Sequence, residues 1–351
     1  MKNSHFAGLL VLVGVMALSG MALEAAACTP TGFYRDGFNM TAFLINPAGP
    51  LTGEIDASGC NIGVYYDNTG SGGSVEGANI HGANYYGIVI NGDNGDVTVD
   101  VLNSSIHDIG ETPLNGAQHG VAVYYRAFGV GSTTGQIVGN SIFHYQKGGV
   151  VTNGGGTQVT ITDNTVTGEG PVNYIAQNGI QVGYGATASV MRNAVSGHSY
   201  TGANLASSGG ILVVGGAGYG NCIGTSPCPY TVNTRIMKNL MVNNDVGVFL
   251  SNLDGNFDPP ATATNIKVVN NTITNDAITN TTGNTTGPYQ AGVSDVGNND
   301  KVINNDISAL RALSSSGRCA SRVAIARRRR DLPRYADGHF GARLYNGFRT
   351  H

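Results

Sequence analysis

Three consecutive stretches of this chain concentrate side chains that can move protons. The first holds His81, Tyr85 and Tyr86, the second His107, Asp108, Glu111 and His119, and the third His144, Tyr145 and Lys147. Four of the eight His in 351 residues therefore fall between positions 81 and 144. Imidazole, phenol and amine groups can give or take a proton near neutral pH, and a neighbouring carboxylate orients them. His119, His107, His144, Tyr86 and Lys147 are the residues expected to transfer protons. His81, Tyr85, Asp108, Glu111, Tyr124, Tyr125 and Arg126 are expected to border the same surface and hold a substrate; His198, five past Asn193, either extends the row or stands there by chance. The plain alternative is a set of solvated turn residues, because most loop residues carry no function. No Cys or His pair near the only close cysteines has zinc-ligand spacing. Asp93-Asn94-Gly95-Asp96 has the donors of a Ca²⁺ loop but not the rest of a twelve-residue EF-hand, and a tight turn explains it equally well. No cofactor is expected, and a Ca²⁺ ion would have no motif behind it.

These loops are placed by a repeat. A short β-branched run around an Asn recurs at residues 137–142, 161–166, 190–195, 236–241, 268–273 and 302–307, and two earlier copies at 75–80 and 101–106 lack the Asn. A second apolar run follows each, opening on Gly87, Gly120, Gly149, Gly179, Gly210, Gly247 or Gly292. The anchors Ala78, Ser104, Asn140, Asn164, Asn193, Asn239, Asn271 and Asn305 lie 26, 36, 24, 29, 46, 32 and 34 residues apart. Periods of this length mark stacked repeats, and the alternation within each run is that of a strand. Stacked in parallel, equivalent residues lie about 4.8 Å apart. An inward Asn at a bend can then bond to the next and satisfy backbone groups that the turn leaves unpaired. His81 and His107 stand three residues past their anchors and His144 four past, so stacking would set them in a row.

Glycine at 53 residues, charge at 12% and the absence of Trp suit tight turns and strands rather than helical bundles. The net charge of −3 gives no general attraction for polyanions, and no nucleic-acid partner is expected. Residues 1–27 read as a secretory signal, with Lys2, an apolar run and Ala25-Ala26-Ala27. The run is short for a membrane span. Export, secreted or periplasmic, follows as an expectation, with a lipid anchor at Cys28 as a minor alternative. Residues 28–70 read as an N-terminal cap with an imperfect first coil, and 71–310 as the repeat body. Cys222 and Cys228 suit a loop clasp, Cys28 and Cys60 lie together in the cap, and Cys319 is left over. Residues 311–351 hold ten of the 19 Lys and Arg. Without this tail the charge falls from −3 to −11, because its ten Arg face only Asp331 and Asp337. The break fits a disordered or frameshifted segment better than a nucleic-acid arm.

Units such as 161–166 with 179–182, and 268–273 with Gly292-Val293, resemble those of the right-handed parallel β-helix superfamily, the pectate-lyase-like group, over roughly residues 51–307. The resemblance implies an all-β chain forming a single right-handed parallel β-helix solenoid of about eight coils. Members of the group include polysaccharide lyases, polygalacturonase-type hydrolases, epimerases and non-catalytic surface proteins. Gln118-His119-Gly120 is similar to the Gly-His-Gly element of polygalacturonases. Tyr85-Tyr86 and Lys147-Gly148 stand where that family places paired aspartates, so a two-carboxylate reaction is not implied. Arg126, Arg192 and Arg235 read as isolated cations. Two functions follow as expectations: an exported enzyme, a lyase or hydrolase, acting on a polysaccharide, or a non-catalytic surface or structural protein binding cell-surface glycan. Either would be a monomer or associate through an exposed strand edge.

Overall fold

The computed structural model describes residues 28–203, 206–222, 226–276 and 290–309, and the backbone of 325–327. The expected signal segment, Cys319 and nearly all of the Arg-rich tail lie outside the described residues. Within them, all regular structure is β apart from one short 3-10 turn, Ala217–Tyr219.

From Ser104 to Asn271 each repeat contributes two strands around its anchor and a third at the glycine, while around Ala78 the single strand Gly73–His81 serves for the first two. Thr157–Thr162 and Thr165–Val172 flank Asn164, for example, and Asn178–Gly183 comes next. Every one of these strands pairs in parallel with its equivalents one repeat away. In the first ladder Ile137, Ile161, Val190, Ile236, Val268 and Val302 are in register. In the second, Ile80, Ile106, Ile142, Val166, Val195, Met241, Ile273 and Ile307 are. In the third, Val64, Ile88, Val123, Val150, Ile180, Ile211, Val248 and Val293 are. The first two ladders join through the long strand Gly73–His81 into a sheet of 16 strands, and the third forms a sheet of 11. Neither sheet closes on itself. The inward residues of all three ladders fill one apolar core. Period-two alternation is what allows this, since one face of each strand meets the core and the other stays free.

The bend between the first two ladders is specified by two adjacent residues. The residue before each anchor is left-handed in all eight repeats: Gly77, Asn103, Gly139, Asp163, Arg192, Lys238, Asn270 and Asn304, with φ between 48° and 70°. Glycine and Asn suit that region, while Arg and Lys are strained there. The anchor then turns inward. Asn140 donates to Asn164 at 2.9 Å, Asn164 to Asn193 at 2.9 Å, Asn193 to Asn239 at 3.0 Å, Asn239 to Asn271 at 2.9 Å and Asn271 to Asn305 at 2.8 Å. Each Oδ1 also accepts the backbone N–H of the preceding anchor, and each Nδ2 donates to a backbone carbonyl. Ser104 hands the ladder on to Ala78 by accepting its N–H through Oγ. The expected internal Asn ladder is therefore present.

The third ladder is buried on both faces over Tyr86–Asn91, Val121–Arg126 and Gly148–Asn153. Its outer face packs under an antiparallel hairpin, Thr29–Arg35 with Phe38–Ile45, which occupies one end of the sheet order. Cys28 bonds to Cys60, tying this hairpin to the first repeat, and Cys222 bonds to Cys228 in the loop that covers Leu212 and Val214. A thioether lipid at Cys28 is incompatible with the first of these bonds. The tail was expected to be disordered or frameshifted, and three of its residues are described. The backbone of Ile325–Arg327 pairs in parallel with Ala291–Asp295 and extends the 11-stranded sheet.

Candidate functional site

The second ladder ends in a row of rings. Ile80, Ile106 and Ile142 point into the core, so the next residues, His81, His107 and Phe143, point out. Their rings stack, His81 on His107 at 5.3 Å between centroids and His107 on Phe143 at 4.9 Å. Phe143 is 39% exposed, unusual for so large an apolar ring. The row expected of His81, His107 and His144 is thus corrected at its third member. His144 stands one position further on, beside Asp108 and Gly82, where the chain turns left-handed. Counting strictly three residues from each anchor would have found Phe143.

Carboxylates bind this row from both sides. Glu54 meets His81 Nε2 at 2.6 Å and accepts from Asn79 Nδ2 at 2.8 Å. Asn79 Oδ1 faces His107 Nε2 at 2.9 Å, and His107 Nδ1 meets Asp108 at 2.5 Å. The other Asp108 oxygen bonds His144 Nδ1. Burial opposes the charge on Asp108, yet the hydrogen bonds from His107 and His144 hold its carboxyl below its ordinary range. Hydrogen bonds from Asn79 and His81 do the same for Glu54. Glu169, in the neighbouring strand, behaves oppositely. Burial raises its pKa, His144 opposes the rise and the Asp108 charge adds to it. Sequence reasoning missed Glu54, Asn79, Phe143 and Glu169. Only the register of the stacked strands brings them to His107 and His144.

A second group forms separately. His119 Nε2 lies 2.6 Å from Glu111, and its ring stacks on Tyr85 at 3.9 Å. Gln146, buried behind them, accepts the N–H groups of Glu111 and Asn115 and donates to Ala117 O, which fixes the loop. His119 is nearly buried, so only its rim meets solvent. Among the described contacts, none joins this group to the ring row: His119 stands in one group, His107 and His144 in the other.

Six of the other expected residues are buried. Tyr86 and Tyr124 stack on each other at 5.4 Å beneath Phe33 and are closed off by the hairpin. Tyr125 points into the core and donates to Val99 O at 2.6 Å. Arg126 is buried against Phe33, paired with Asp93 at 2.7 Å and bonded to Asn91. Lys147 is buried and donates to Ala176 O at 3.0 Å, and burial brings its pKa down to about 8. That value suits proton exchange, but the side chain is buried. His198 does not extend the row. It is buried, with Tyr145 OH on Nε2 and Asn244 Oδ1 on Nδ1, and burial drives its pKa down to about 4. The Asp93 to Asp96 turn uses its carboxylates within the fold, Asp93 on Arg126 and the Phe128 N–H, and Asp96 on Ser132. Among the described residues, no three His, Cys, Asp or Glu side chains are grouped to hold a metal ion.

No protein-family model, curated protein or solved structure matches the chain.

Proposed function

We propose that the chain is an exported right-handed parallel β-helix of the pectate-lyase-like kind and that it binds a glycan on the His81, His107 and Phe143 face. The stacked rings carry this reading. They give a flat platform about 10 Å long, two strand spacings, on which sugar rings can lie. Glu54 and Asp108 sit beside it as ionised hydrogen-bond acceptors for hydroxyl groups. Their charge would repel a polyuronate, so the favoured ligand is a neutral polysaccharide. Two disulfides suit an oxidising compartment. No helix among the described residues is long and apolar enough to cross a membrane.

A second reading, glycoside hydrolysis, is favoured by one observation. Asp108 is held ionised while burial pushes neighbouring Glu169 towards its protonated form, the divergence that separates a base from an acid. Glu169 would protonate the leaving oxygen and Asp108 would activate water. Reducing-end release from xylan, β-glucan and mannan decides between the two. For an enzyme, Asp108→Asn and Glu169→Gln each lower turnover by at least 100-fold, the scale of general acid or base catalysis. Saturable binding without release in the wild type leaves the binding reading alone, and absence of both overturns the proposal.

A further inference from the structure

Arg235 read as an isolated cation in the sequence, but the structure sets it at the head of a column. Arg235 pairs with Lys267 and Lys267 with Lys301, directly in register on neighbouring strands of the first ladder. All three are exposed. Beside them runs a second column, Asn233, Asn265 and Asn299, each left-handed at φ 58°, 54° and 59°. The Asn299 amide donates to Asn265 at 2.7 Å. The two columns line a depression of about 260 Å³.

The charge here is unbalanced. Like charges directly opposite on adjacent strands are destabilising. Among the described residues none of these cations makes an ion pair. The nearest acid in sequence, Asp300, turns inward to Thr264 Oγ1 at 2.6 Å and the Ile266 N–H at 2.7 Å. The other cations of residues 28–309 are engaged elsewhere: Arg35 and Lys147 are buried, Arg126 binds Asp93, and Arg192 binds Asp163. Arg192 is exposed but paired, so among the described residues only Lys238, in the turn after Arg235, adds to the exposed cations without an ion pair. Protection of a sheet edge explains Lys301, which lies on the terminal strand, but not Arg235 or Lys267 in the interior. Equivalent positions in earlier repeats are Ser189, Thr160, Gln136 and Asp100. The positive column is therefore confined to the last three rungs of an otherwise acidic body.

We propose that this column is a binding site for a linear anionic polysaccharide laid across the strands, with its sulfate or carboxylate groups on Arg235, Lys267 and Lys301. The rungs repeat at about 4.8 Å, the scale on which a polymer carrying one anion per sugar repeats its charge. The Asn column adds amide donors and acceptors for the intervening hydroxyls. A lipid surface would supply phosphates but no hydroxyl-bearing chain to occupy the depression. The site is separate from the ring row and does not depend on it.

The test is affinity of the full chain for dextran sulfate, carboxymethyl dextran and plain dextran, measured by calorimetry at low and moderate salt. The wild type is expected to bind one or both charged dextrans and not the plain one, the two charged forms separating sulfate from carboxylate recognition. Arg235→Gln, Lys267→Gln and Lys301→Gln together should weaken binding about tenfold and reduce its salt dependence. Removal of like-charge contacts should leave the melting temperature unchanged or raised, so lost binding is not lost folding. A control with Arg328, Arg329 and Arg330 replaced by Gln removes the same charge from the tail. Equal weakening in both variants, no binding by the wild type, or preference for phosphatidylglycerol vesicles over both charged dextrans would overturn the site.

Discussion

At the scale of the residue, burial decides which titratable groups are free to act. His198 shows the effect most clearly. Its Nδ1–H bonds Asn244, whose orientation is fixed by its own donation to Val195 O, and the Tyr145 hydroxyl completes the ring. Such a His is neutral in the fold, with a pKa of about 4. The unfolded chain takes up a proton near pH 6.5 and the folded chain only near 4, so stability is full above pH 6.5 and falls as pH drops through that window. The loss amounts to about 3 kcal/mol by pH 4. Urea unfolding of the wild type at pH 7 and pH 4.5 should show it, and His198→Gln should flatten the difference. An equal slope in the variant would assign the acid sensitivity to other groups. The residue types His, Tyr and Lys were legible as candidates in the sequence. Their fate was not, because His81 and His198 look alike until the strands are stacked.

At the scale of the element, the bend carries the repeat. The inward Asn recurs with such regularity that the sequence alone shows where the ladders turn, and the structure adds a left-handed residue before each anchor, of no one type. Asn193 sits mid-ladder. It accepts from the Asn164 amide and backbone and donates to Ile161 O and Asn239. Asn193→Ala would leave several buried partners unsatisfied and should cost roughly 2–4 kcal/mol, read as a lower denaturation midpoint at unchanged slope. Asn305, at the half-buried end of the ladder, should cost less when changed to Ala. Equal effects would mean that the bonds contribute through the local turn and not through the stack. The outer covering of the third ladder was not legible. Gly148, Asn178 and Tyr124 carry no sign of which loop or hairpin will lie over them, and that covering is what removed Tyr86, Tyr124 and Arg126 from the expected surface.

At the scale of the molecule, a stack of parallel strands has ends, and its ends need covering. The hairpin at residues 29–45 fills one end of the 11-stranded sheet and is tied down through Cys28 and Cys60, 32 residues apart. Closing a loop of that size stabilises by about 3–4 kcal/mol. Cys60→Ser should lower the melting temperature accordingly and raise the fraction of associated species in sedimentation, since a loosened hairpin bares a strand edge. A stable, monomeric variant would show that the hairpin holds by packing alone. Long parallel sheets were legible from repeat spacing and alternation. The division of the surface into an acid-flanked ring row near one end and a cationic column near the other was not, because each is built from residues 26 to 36 positions apart.

The claim on which the functional reading rests is that the His81, His107 and Phe143 row is a sugar platform. Affinity electrophoresis through gels containing xylan, β-glucan or mannan tests it, comparing the wild type with His107→Ala/Phe143→Ala. Both side chains are surface members of the row, so the variant should keep the melting temperature of the wild type. Retardation of the wild type by at least one glycan, lost in the variant, is the expected result. Equal retardation of both proteins, or free migration of the wild type in every gel, would contradict it.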